Sequence, residues 1–201
     1  MGPLATANFL RLLTLEFNRV GVETDADFPR MLMLSLPLSD WDETGATDKG
    51  RVSSQVNEGI DWLKSCGADV IAVPCNTVHE FIDDSTVVSI IDATLKECAP
   101  GVTGVLCSRQ TRDAKLYETG ANQIVYYSRQ ESIDNTIRGI MAGATADISL
   151  LINAGFEKCV QVIIGCTELS TCSVSALRKP VVDSSLALAK ATVKRVMETE
   201  T

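Results

Sequence analysis

Two cysteines stand where a thiol could do chemistry. In IAVPCNTVHEFI (71–82), Cys75 falls where an apolar run gives way to a stretch that could open a helix. In CVQVIIGCTELS (159–170), Cys166 occupies the corresponding place. In open α/β sheets, ligands gather beyond the carboxyl ends of strands. An opening helix there presents free N–H groups and the positive end of its dipole. Such a setting is expected to lower a thiol's pKa and to hold a substrate carboxylate, with Thr77 and Thr167 adding hydroxyl donors. Two thiols facing each other across a cleft suit proton transfer at carbon. One thiolate removes a proton from one face, and the other thiol delivers one to the opposite face. A cysteine closing an apolar strand is usually a small buried hydrophobe, and that reading holds for Cys66, Cys98, Cys107, Cys159 and Cys172. Position, flanking donors and an internal repeat set Cys75 and Cys166 apart. His79 lies about one helical turn beyond Cys75, where it either tunes the thiol or makes a helix-face contact.

The elements that must position these residues follow one pattern. Apolar runs at 30–36, 68–74, 101–107, 122–127 and 159–165 have the length and the continuous Val/Ile/Leu character of strands buried on both faces. Helical spacing between them predicts helices over 5–20, 49–66, 77–84, 110–119, 131–154 and 184–198. Strands alternating with helices indicate an α/β fold with parallel sheets. VNEGIDWLKSCGADVIAVPCNT and DISLLINAGFEKCVQVIIGCTE share the order helix, small-residue turn, strand, cysteine turn. The expectation is two similar lobes, each a parallel sheet flanked by helices, with the active site in the cleft between them. The first lobe would comprise 1–98 plus 175–201 and the second 99–174, the closing helix returning to pack on the first.

Composition narrows the partners. The chain has 201 residues, 45% apolar and 22% charged, with a net charge of −8 and no basic stripe. Nucleic acid and anionic membrane surfaces are therefore poor partners, and no apolar run approaches the length of a membrane span. The amino terminus does not read as a secretory signal. Seven cysteines, none in a C-x-x-C pair, point away from a disulfide framework or zinc site and toward a reducing, cytoplasmic setting. A single histidine argues against a His-rich metal site.

PCNTVH (74–79) and GCTE (165–168) resemble the two signature segments of the aspartate/glutamate racemase superfamily, closest to its aspartate racemase branch. MGPLATANF (1–9) is similar to that branch's amino-terminal motif, and Thr111, Tyr117 and Asp183 also fall into place. Three segments in the right order make a specific signal. The resemblance implies a racemase of an acidic amino acid, aspartate or glutamate, that needs neither pyridoxal phosphate nor metal. It implies Cys75 and Cys166 as the paired acid and base, with Asn76, Thr77, Thr111 and Thr167 binding substrate. His79 and Glu168 are tuning candidates. Family members are often dimers, so a homodimer is an expectation. A cysteine-dependent isomerase of a small diacid and an inactive small-acid-binding relative are the alternatives.

Three departures from the family pattern carry expectations of their own. The strand that should precede Met-Gly-Pro is missing from the sequence, which would leave a cleft lined by unpaired backbone groups unless the remaining strands close it. Either the sequence is a fragment, or it begins at an internal methionine, or that closure occurs. The family's side-chain-carboxylate arginine is absent from SLPLSDWDETG (35–45), and Ala142 stands where a lysine is expected. Lys49, Arg51, Arg109 and Arg112 are the conceivable substitutes.

Overall fold

A computed structural model describes residues 2–42 and 45–199. Met1 of the amino-terminal motif and two positions of the 35–45 segment lie outside the described residues. The chain folds as parallel β-sheet flanked by helices. Helix α1 (Pro3–Arg19) opens with proline at its first position, where a missing N–H costs nothing. A short antiparallel hairpin, β1 (Trp41–Asp42) and β2 (Gly45–Ala46), leads to α2 (Lys49–Ser65). The Asp48 side chain caps α2 by accepting the Arg51 N–H at 3.0 Å. Then come β3 (Ile71–Ala72), β4 (Val87–Val88) and α3 (Ile90–Lys96). The second half runs β5 (Val102–Leu106), α4 (Arg109–Asp113), β6 (Gln123–Tyr126), α5 (Gln130–Met141), α6 (Ser149–Gly155), β7 (Gln161–Ile164), β8 (Val181–Asp183) and α7 (Ser184–Thr199).

Four of these strands form one parallel sheet in the order β6-β5-β7-β8. Its centre explains the continuous apolar runs. Val105 and Ile163 point into a core shared with Phe9, Leu13 and Phe17 of α1 and with Leu188 and Val193 of α7. Leu106, Val162 and Ile164 point the other way, onto Ile133, Ile137 and Ile140 of α5 and Ile152 and Phe156. Both faces are covered, so alternation disappears. Edge strand β6 keeps it, with every second residue exposed. α7 packs along α1 and α3. β3 and β4 form a separate parallel pair, covered by Val52, Val56 and Ile60 of α2.

Close packing at β5 makes a sharp prediction. A Cβ on Gly104 would sit 2.6 Å from Phe156 Cγ, inside any real contact, and Phe156 is a fully buried ring. Gly104→Ala should therefore lower stability by about 1–3 kcal/mol through overpacking. Chemical denaturation would read this as a lower midpoint with an unchanged slope.

Several sequence expectations are revised. The helix expected over 131–154 is two helices, broken where Gly143 adopts φ +92°, a conformation that favours glycine. The helix over 110–119 is α4 followed by a 3₁₀ turn, Leu116–Thr119, entered through Lys115 in a left-handed conformation. The helix over 77–84 is a five-residue 3₁₀ turn, Thr77–Phe81. Residues 30–36 form no strand. Their burial still alternates, Leu34 and Leu36 being more covered than Met33 and Ser35. Leu34 and Leu36 both approach Gly59 of α2. The segment thus lies in the layer of β3, under the same helix, without a ladder partner. Between it and β3 is a cavity of about 470 Å³.

Candidate active site

Cys75 follows β3 and Cys166 follows β7, each at the carboxyl end of its strand. After each comes a 3₁₀ turn, Thr77–Phe81 and Leu169–Thr171. The amides of Thr77 and Val78 act on the Cys75 thiol, and those of Glu168 and Leu169 act on Cys166, each favouring the thiolate. The two turns therefore present their sulfurs to the same kind of backbone donors. That much of the expected setting is present.

The thiols are nonetheless held protonated, contrary to the expectation of a lowered pKa. Burial pushes Cys75 up to about 11, with the Glu168 carboxylate adding to it. Cys166 is raised well above its ordinary value, by burial, by the Glu168 charge and by its own hydrogen bond to that carboxylate. Cys166 Sγ donates to Glu168 Oε2 at 3.2 Å, and Thr167 Oγ1 donates to the same oxygen at 3.3 Å. Turns of three and five residues add too little dipole to outweigh desolvation and an adjacent anion. One carboxylate, on Glu168, thus acts on both thiols.

A raised thiol pKa is also a statement about stability. The folded state binds the Cys75 proton more tightly than the unfolded chain, whose thiols titrate near the ordinary 9.0. Stability from this group is full below pH 9 and is lost as pH rises toward 11. Cys98 and Cys172, both pushed up to about 11 mainly by burial, act with the same sign. Thermal melts should show Tm falling between pH 9 and 11, and Cys75→Ala should blunt the fall.

His79 faces the backbone. Its Nδ1 lies 2.8 Å from the Cys75 carbonyl oxygen, and its Nε2 accepts the Ile90 N–H at 3.3 Å. An imidazole protonated on Nδ1 satisfies both partners, and burial lowers its pKa. The ring ties the Cys75 turn to the start of α3.

The other expected residues divide into two groups. Thr77 and Thr111 come together: Thr77 Oγ1 lies 2.8 Å from Thr111 Oγ1 and 2.9 Å from Ser108 Oγ. All three hydroxyls are buried, and they join the Cys75 turn to the turn after β5. Asn76 is engaged elsewhere. Its Nδ2 donates to Ser184 Oγ at 3.0 Å, and its Oδ1 accepts the Tyr117 hydroxyl. Asp183 accepts from the Ser170 hydroxyl at 2.8 Å beside the Cys166 turn, and burial raises its pKa. Ser108 and Ser184 were not singled out in the sequence. Their signal was available, since each lies just past the carboxyl end of a strand, Ser184 directly after β8 and Ser108 two residues after the end of β5.

The four conceivable substitutes for the missing cations are all ion-paired. Lys49 binds Glu80 at 2.5 Å, Arg51 binds Asp40 at 3.2 Å, Arg109 binds the buried Asp134 at 3.0 Å, and Arg112 binds Asp113 at 2.7 Å. Gln110 extends this network over the site, donating to Glu80 at 2.7 Å and accepting the Ala46 N–H of the β1–β2 hairpin.

With this geometry in place, comparison with known proteins is decisive about ancestry. The sequence matches the Asp/Glu/Hydantoin racemase family over residues 1–192. The chain belongs to that family. It is 25% identical to the broad specificity amino-acid racemase RacX of Bacillus subtilis, over 96% of this chain and 93% of that protein. Its fold is similar to the crystal structure of an aspartate racemase homologue from Pyrococcus horikoshii, with a TM-score of 0.66 at 20% identity, covering 98% and 94% of the two chains. It is also similar to a glutamate racemase from Francisella tularensis solved with D-glutamate, with a TM-score of 0.55 at 14% identity, over 77% and 66%. These racemase folds carry the two-lobed α/β architecture expected from the paired motifs. Among the described residues, no helix is long and apolar enough to cross a membrane.

Proposed function

We propose that this protein interconverts the enantiomers of a free amino acid by two-base proton transfer, with Cys75 and Cys166 as the opposed acid and base. The observation that carries this reading is the carboxylate of Glu168, whose charge bears on both thiols at once. Two cysteines from opposite halves of the chain therefore share one electrostatic site. In the forward direction, the Cys166 proton passes to Glu168, and the thiolate takes the α-proton. Cys75 then delivers its own proton to the opposite face, leaving a Cys75 thiolate, a Cys166 thiol and a protonated Glu168, and return of the Glu168 proton to Cys75 restores the starting state. The reverse reaction exchanges the two roles. Backbone amides of the two cysteine turns are the donors for the substrate carboxylate.

The substrate side chain is the looser part. An acidic side chain calls for a cation, and the four candidate cations are each occupied by an acidic residue of the protein. Selection by charge is therefore weak, in keeping with the broad specificity named for the Bacillus subtilis relative. Aspartate and glutamate are substrates to test beside neutral amino acids.

The test is α-proton exchange in deuterated water, followed by NMR, on L- and D-aspartate, glutamate, alanine and methionine. Exchange with appearance of the opposite enantiomer, lost when both cysteines are replaced by serine, is the expected result. A folded sample that exchanges none of the eight would overturn the proposal.

A further inference from the structure

The two cysteine turns repeat more than their order along the chain. β3, which leads to Cys75, pairs in parallel with β4, and β7, which leads to Cys166, pairs in parallel with β8. Each of these neighbouring strands runs almost directly into a helix, β4 into α3 and β8 into α7. The same frame therefore surrounds both thiols: a strand ending in a cysteine turn, and beside it a strand opening a helix.

In both turns, the residue four beyond the cysteine reaches back to the cysteine's own carbonyl oxygen. After Cys75 that residue is His79, whose Nδ1–H donates to the carbonyl at 2.8 Å. After Cys166 it is Ser170, whose main-chain N–H donates to the carbonyl at 3.2 Å and whose Oγ lies 3.4 Å from the same oxygen. Both residues also reach outward to the neighbouring helix. His79 Nε2 accepts the N–H of Ile90, the first residue of α3, at 3.3 Å. Ser170 Oγ donates to Asp183 Oδ1 at 2.8 Å, at the end of β8. That carboxylate oxygen caps α7, accepting the Ser185 and Leu186 N–H groups at 2.8 and 3.3 Å. Ser185 Oγ donates in turn to Ser170 Oγ at 3.1 Å.

Short 3₁₀ turns need such anchors. With three and five residues, Leu169–Thr171 and Thr77–Phe81 carry few internal hydrogen bonds, and those have poor geometry. The direction of a cysteine carbonyl reports the backbone torsion that also aims its side chain. Holding the carbonyl to a helix start therefore holds the sulfur. Proton transfer between two thiols through one carbon needs both sulfurs in register, and a misplacement of about 1 Å can cost about 10²-fold.

We infer that His79 and Ser170 are matched positioning residues, one for each face of the reaction: His79 braces the Cys75 turn against α3, and Ser170, through Asp183, braces the Cys166 turn against α7. The inference rests on the two-cysteine reading of the site. His79 acts through the main chain of the turn rather than on the thiol, since both of its ring nitrogens are taken by backbone groups. Because each brace serves one turn, the two faces of the reaction can be impaired separately.

The test uses His79→Ala, His79→Asn and Ser170→Ala in the full chain, with two readouts. The first is the rate at which iodoacetamide alkylates each cysteine, read peptide by peptide by mass spectrometry; it does not depend on catalysis. A turn released from its brace opens more often, so His79→Ala should speed alkylation of Cys75 by about fivefold or more and leave Cys166 within about twofold. Ser170→Ala should act on Cys166 alone, by about threefold, because its main-chain N–H remains. His79→Asn, whose amide nitrogen takes the place of Nδ1, should restore most of the wild-type rate. The second readout is α-proton exchange on separate enantiomers. His79→Ala should slow, by about tenfold, the enantiomer that Cys75→Ser cannot exchange and spare the other, and Ser170→Ala should show the opposite preference. Alkylation that rises alike at both cysteines, or at neither, would overturn the inference. So would exchange that falls equally for both enantiomers in each variant. Alkylation that separates as expected in a protein that exchanges no amino acid would sink the racemase reading and leave the two braces standing.

Discussion

Serine in place of Cys75 or of Cys166 is expected to reduce racemisation by about 10²–10⁴-fold, the range for loss of a positioned acid or base. Serine keeps the size of the side chain and its hydrogen bonding, so packing at the buried Cys166 is little disturbed. What changes is acidity, because a hydroxyl cannot exchange protons with carbon near neutral pH as a thiol can. The raised thiol pKa values sharpen the requirement. Burial and the Glu168 charge hold both thiols protonated in the free protein, and an incoming substrate ammonium brings the positive charge that shifts the balance toward thiolate. Each single variant can still wash the α-proton out of one enantiomer, because one face keeps its thiol. NMR in deuterated water on separate enantiomers reads this directly and assigns each cysteine to a face. Full activity in either variant would rule out the two-base scheme. Cys98→Ser or Cys172→Ser should leave activity intact and change stability by about 1 kcal/mol.

Glu168→Gln has the second largest expected effect, and it separates two roles that one carboxylate could have. As the acceptor of the Cys166 proton, at 3.2 Å from its sulfur, Glu168 assists formation of the thiolate. As a negative charge near both thiols, it opposes that same ionisation. The amide removes both influences. Loss of the acceptor should lower kcat by about 10²-fold. Loss of the charge should move the rising limb of the pH–rate profile to lower pH. A profile that shifts while kcat stays at the wild-type level would show that Glu168 acts as a charge alone. A fall in kcat with no shift would show that its charge does not govern the thiols.

What could be read from the sequence is what local pattern determines. Val105–Leu106 and Ile163–Ile164 are apolar on both sides because each strand is buried on both faces, and that signature needs no knowledge of neighbours. The two cysteines were legible for the same reason: each ends such a strand at the one place where an open parallel sheet exposes polar groups. The breadth of α1, α2 and α7 followed from helical spacing over many turns. Short elements did not carry enough pattern. β4 is two residues and α3 seven, and both take their form from packing against β3 and α7.

Tertiary structure decided everything that depends on distance between remote residues. Asp134, far along the chain from Arg109, neutralises it, and Glu80 does the same to Lys49; spacing cannot reveal which cation is occupied. The thiol pKa was misjudged from sequence because the turn dipole is local, whereas burial of both thiols, and the Glu168 charge on the remote Cys75, arise only when the two halves meet. Residues 30–36 were read as a strand from their composition, and their alternation survives. A strand, however, is defined by its partner's hydrogen bonds, and those are long-range contacts that the chain's own pattern can invite but cannot supply.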